Sequence, residues 1–131
     1  MKNVTATVWL FLALTGTALA QSEGKQAFAC AEQASTGFSM KNGVYGKGSF
    51  PTTNFTMVLT GRNLTVKYGD DEERYSCSPS YANILQCVQD AFFMVINLEN
   101  LRFNRGELYG PIRGLDKADS LSVAYGSCQR F

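Results

Sequence analysis

The sequence predicts an all-β domain: a single small antiparallel barrel or sandwich of about eight strands, stapled by two disulfides. Three observations carry that expectation. Side chains alternate with period two through most of residues 54–125, and turn-forming glycine and asparagine punctuate the alternation. Four cysteines follow a leader that directs the chain to an oxidising compartment.

The leader comes first. Lys2 precedes an apolar run over residues 4–14, and small residues follow, ending in Ala18-Leu19-Ala20. This is the layout of a secretory signal peptide, so residues 1–20 are expected to be cleaved and residues 21–131 to form one domain. The apolar run falls short of the roughly 20 residues a spanning helix needs, so no stable membrane anchor is expected after cleavage. The expected location is secreted or periplasmic. Loss of Lys2 leaves eleven Lys and Arg against eleven Asp and Glu. A nucleic-acid binder would carry a basic excess, so that class is disfavoured.

Taken in order, residues 26–33 read as a strand or one helical turn, because their alanines fit either. Residues 37–40 and 44–50 flank Asn42-Gly43, the pair that suits the two positive φ angles of a type I′ hairpin turn. In residues 54–60 Phe55, Met57 and Leu59 share one face; after Gly61 the pattern resumes with Leu64, Val66 and Tyr68. Two such runs across a short turn make a second hairpin. Residues 92–96 are a continuous apolar run suited to a buried strand. Residues 101–109 read as another strand, in which Gly106 shifts the parity between Phe103 and Leu108, so a bulge is expected there. In the last strand Leu121, Val123 and Tyr125 alternate with Ser120, Ser122 and Ala124.

The cysteines read as staples. The chain has no histidine and no C-x-x-C pair, which disfavours a zinc knuckle or a thioredoxin-type redox site. Tyr75 shares a parity with Cys77, and Leu85 with Cys87, so a turn within residues 78–86 sets both sulfurs on one face of neighbouring strands. Cys77 is therefore expected to pair with Cys87. Cys30 and Cys128 remain, near the first and last strands, which are neighbours in a closed sheet.

Catalytic chemistry finds few candidates. Without histidine there is no Ser-His-Asp or Cys-His arrangement. The densest charged cluster is Asp70, Asp71, Glu72 and Glu73, which does not match the alternating ligands and central glycine of a calcium loop. It reads as a solvated turn or as a contact surface for a basic partner. Asn54-Phe55-Thr56 and Asn63-Leu64-Thr65 match the glycosylation sequon, and chance accounts for them in a chain whose leader suits a bacterium.

The stretches "EQASTGF" (32–38), "LRF" (101–103) and "DSLSVAYGSC" (119–128) resemble words found in small exported bacterial proteins of unknown function. The layout is similar to lipocalin-like barrels and to small periplasmic lysozyme inhibitors. It departs from the lipocalin G-x-W signature, since Phe38 and Ser39 follow Gly37. Together with the scarcity of catalytic candidates, this layout leads to the expectation of a non-catalytic binding protein, with an unknown protein or a small apolar ligand as partner and no cofactor or metal. An inhibitor of a basic enzyme is one form of that expectation. A lipocalin-like ligand carrier and a hydrolase using paired carboxylates are the alternatives. The large side chains Phe55, Met57, Phe92, Met94 and Phe103 argue for a filled centre over a ligand cavity.

Overall fold

A computed structural model describes residues 24–113 and 120–131. The leader read in residues 1–20 lies outside them. Among the described residues nine strands form one antiparallel sheet: β1 (Gln26–Lys41), β2 (Val44–Ser49), β3 (Asn54–Thr60), β4 (Asn63–Tyr68), β5 (Asp71–Tyr81), β6 (Ile84–Gln89), β7 (Phe92–Asn97), β8 (Arg102–Glu107) and β9 (Leu121–Arg130). From β3 to β9 each strand pairs with the next, and β9 returns to β1. Eight strands thus close into a barrel. The ninth, β2, lies outside the closure. It takes residues 36–41 of β1, on the edge that β3 occupies along residues 26–31.

The segment 26–33, open to two readings in the sequence, opens the 16-residue strand β1. Its hairpin with β2 turns at Asn42 (φ 50°) and Gly43 (φ 78°), the left-handed pair that a type I′ turn requires.

Both expected disulfides are present, Cys30–Cys128 and Cys77–Cys87, with Cα atoms 4.0 and 3.9 Å apart. Register explains the closeness. Cys30 faces Cys128 and Cys77 faces Cys87, yet Cys128 donates its N–H to Leu101 and Cys77 donates to Arg62. Each pair therefore occupies a non-hydrogen-bonded position, where opposed Cα atoms approach most closely.

Inward side chains fill the barrel. Phe28, Phe55, Met57, Leu64, Val66, Met94, Ile96 and Phe103 are all buried, and Phe92 packs half-buried against them. Gly126 shows how tight the packing is. A Cβ there would stand 2.1 Å from the Ala31 carbonyl oxygen and 2.7 Å from the Phe103 ring. Backbone cannot move aside as a side chain can, so Gly126→Ala is expected to destabilise by about 1–3 kcal/mol, read by urea denaturation.

Two features differ from the sequence reading. No bulge occurs at Gly106, since β8 runs in unbroken register against both β7 and β9. The parity changes because Arg105, not an apolar residue, occupies the inward position after Phe103. A bulge falls instead in β1, where the register shifts between Glu32 and Ala34. The extra residue, Gln33, reverses the faces of β1: Phe28, Cys30 and Glu32 point inward, but Ala34, Thr36 and Phe38 point outward.

Candidate functional site

The pleat divides the acidic run. Asp70 lies in the β4–β5 turn and Asp71 opens β5, both exposed. Glu72 points outward between Arg74 at 2.8 Å and Lys67 at 3.3 Å, and hydrogen bonds from these two hold its carboxyl below the usual carboxylate range. Glu73 has the opposite parity and accepts a 2.6 Å hydrogen bond from the Tyr75 hydroxyl. Among the described residues, Asp70 and Asp71 are the two of the four that face solvent with neither an ion pair nor a side-chain hydrogen bond.

Glu73 belongs to a polar layer that closes one end of the barrel. Arg105 Nη1 lies 3.3 Å from Glu32 Oε1, with only 20% and 5% of the two side chains exposed. The Thr53 amide donates to Glu32 Oε2 at 2.9 Å. The guanidinium stands 4.7 Å from the Tyr68 ring centre and 5.7 Å from that of Phe55. Phe55 in turn meets Phe103 edge-on at 5.2 Å. Arg105 is thus held by one carboxylate and two ring faces, an arrangement in which cation–π attraction is strengthened by the loss of water. The mouth beside it is a cleft of about 190 Å³ lined by Glu32, Ser35, Arg105, Glu107 and Ser122. Two carboxylates share that cleft, but both oxygens of Glu32 are already engaged.

Below the ion pair, the Tyr68 hydroxyl is enclosed and has no partner at hydrogen-bond geometry among the described residues. Burial raises its pKa above the ordinary tyrosine value; Arg105 opposes the shift and the charge of Glu73 adds to it. Burial and then the hydrogen bond to Glu73 raise Tyr75 likewise. Both phenols therefore stay protonated in the fold at pH values where an unfolded chain would release their protons. The stability they confer is full below about pH 10 and is lost as pH rises above it. Alkaline titration followed at 295 nm should show Tyr68 and Tyr75 ionising only together with loss of the β circular dichroism signal. Ionisation of all tyrosines in a still-folded barrel would contradict this placement.

The larger clefts among the described residues lie on the outer wall. One of about 680 Å³ crosses Ala29, Ala31, Thr56 and Ser127, another of about 410 Å³ crosses Val95, Asn104 and Tyr125, and one of about 610 Å³ crosses Val58, Thr65 and Arg74. The second belongs to an apolar surface. Val88 is 57% exposed, Tyr125 52%, Val123 46% and Phe38 46%. The register joins them: Val88 faces Phe93, Phe93 faces Gly106, Gly106 faces Val123, and Val123 faces Thr36. Tyr125 stands one step along β9, between Asn104 and Ala34. The wall crosses β6 to β9 and reaches β1, about 19 Å at the usual strand spacing. Gly106 is bare because the Phe93 ring lies across it, where a Cβ would stand 2.4 Å from the ring.

Of the polar layer only Glu73, and of the wall no residue, is among the site residues expected from the sequence. Arg105 sits two residues from Phe103 and so shares its inward face, a signal hidden by taking inward positions as apolar. The wall follows from the Gln33 bulge and from β9, whose inward face is Ser122, Ala124, Gly126 and Cys128 while Val123 and Tyr125 point out. Among the described residues no group of three or more His, Cys, Asp or Glu is placed to hold a metal, and no helix is long and apolar enough to cross a membrane. No protein-family model, no curated protein and no solved structure matches the chain.

Proposed function

We propose that the domain is a secreted or periplasmic protein-binding module that catalyses no reaction, and that it meets its partner with the outer wall of β6–β9 and β1. The observation that carries this reading is the exposure of Phe38, Val88, Val123 and Tyr125 on one face of a barrel whose interior is already filled. Contiguous apolar surface on a small exported domain costs solubility, and its usual use is to be covered. Tyrosine at its middle suits an interface, since it offers a large rigid ring and a polar tip. A filled interior weighs against a lipocalin-like carrier, and engagement of Glu32 by Arg105 and Thr53 weighs against paired-carboxylate hydrolysis. The two disulfides fit an oxidising compartment.

The test is co-purification from the native host with wild type and with Val123→Lys/Tyr125→Lys. Both positions point to solvent, so the variant should keep its melting temperature within about 2 °C and lose the co-purifying protein. Retention of the same protein at the same ratio would remove the wall from the interface. A basic enzyme as partner is the finer form of this reading, favoured by the unpaired charge of Asp70 and Asp71. In that form Asp70→Lys/Asp71→Lys slows association at least about tenfold at low salt; an unchanged rate would exclude it.

A further inference from the structure

We propose that β2 is a docking edge, along which an extended, acidic segment of a partner protein adds as a further strand. The proposal rests on the protein-binding reading above and names the chemistry of what binds. Closure removes the edges of the eight barrel strands, because each of them has two neighbours. Among the described residues β2 has one neighbour, β1. The hairpin geometry says which groups it offers. Lys41 and Val44 close a two-residue turn, and Phe50 N–H reaches back to the Ser35 carbonyl at 3.2 Å. Even-numbered residues of this stretch therefore bond to β1, while Lys47 and Ser49, both exposed, aim N–H and C=O away from it.

Composition points the same way. Gly46 and Gly48 share the face opposite to Lys47. A Cβ at Gly46 would meet nothing within 4 Å, and one at Gly48 would meet only Ser39 Oγ, at 3.9 Å. Neither glycine has a positive φ. No described atom calls for glycine at these positions, where it weakens a strand; glycine there leaves room for another backbone to approach closely. Charge then selects the partner. Lys41 and Lys47 are exposed, and neither forms an ion pair with a described carboxylate. Two copies of β2 laid antiparallel about Lys47 would set their two Lys47 side chains together, which like charge disfavours. An acidic strand would be drawn in. Phe38, opposite Lys47 on β1, also belongs to the apolar wall, so edge and wall form one continuous surface. In such strand addition the backbone bonds supply affinity and alternate side chains supply selectivity.

The probe is a seven-residue synthetic peptide alternating glutamate and valine, titrated into the ¹⁵N-labelled domain. Amide shifts should concentrate at Lys47 and Ser49, and the same peptide with lysine for glutamate should bind about tenfold more weakly. Lys47→Pro removes an N–H that β1 does not use, so it should abolish the shifts with the hairpin intact. Lys47→Gln should weaken binding about threefold and reduce its salt dependence. A peptide N-methylated on alternate amides leaves the protein untouched and should not bind at the edge. Shifts away from β2, or equal binding of the lysine peptide, would overturn the proposal. So would a concentration-dependent dimer abolished by Lys47→Pro, which would give the edge to a second copy. The Val123→Lys/Tyr125→Lys variant should still bind the peptide, so failure at the edge and failure of the wall are separate results.

Discussion

Arg105→Ala is expected to destabilise the barrel by about 3 kcal/mol, the lower end of the cost of breaking a buried ion pair from one side. Glu32 would keep its Thr53 amide but lose the cation paired with it, with 5% of its side chain exposed. The rings of Tyr68 and Phe55 would lose the guanidinium between them and the cleft. On the scale of a domain this size, such a loss lowers the melting temperature by roughly 10–20 °C. The discriminating variant is Glu32→Gln/Arg105→Met, which leaves no unpaired charge and fills the space of the stem. It should recover more than half of the loss, because the cost of the single change lies mainly in the stranded carboxylate. A loss below about 1 kcal/mol for Arg105→Ala would mean that water reaches Glu32 freely and that the pair behaves as a surface one.

Cys30→Ala/Cys128→Ala should cost more, about 4–5 kcal/mol, because the bridge joins residues 98 apart and restricts most of the unfolded chain. Cys77→Ala/Cys87→Ala, with a separation of 10, should cost about 3 kcal/mol on the same chain-entropy argument. The terminal bridge also ties β9 to β1, the pairing that closes the barrel. Its loss should therefore raise hydrogen exchange along that seam before it does so in the β3–β6 hairpins. Urea denaturation of the two double variants, with exchange measured by residue, checks both statements. Equal stabilities would show that loop length does not govern the effect. Exchange rising first in β3–β6 would place the weak seam elsewhere.

What could be read from the sequence, and what could not, follows from the pleat. Cys77 and Cys87 were legible because Tyr75 and Leu85 mark the same inward faces, and Asn42-Gly43 marked its turn by the φ values only such residues adopt easily. Phe38 was not legible as a surface residue. The Gln33 bulge that turns it outward sits among small and polar residues, which give no alternation to break. Arg105 was not legible either, for the opposite reason. Its strand alternates correctly, but an inward arginine looks like a fault in the pattern until Glu32 and the ring of Tyr68 are known to face it. The acidic run does not present a single face, because neighbours in sequence are on opposite faces in a strand, so Glu72 and Glu73 part.

On the function proposed above, the filled barrel binds a protein on its outside and nothing in its interior. Native mass spectrometry of the domain purified from its own host tests it most directly. The expected spectrum shows the bare mass of the two-disulfide chain, together with a polypeptide complex that the Val123→Lys/Tyr125→Lys variant does not form. A small molecule retained at one per chain by wild type and variant alike, and released only on unfolding, would contradict it.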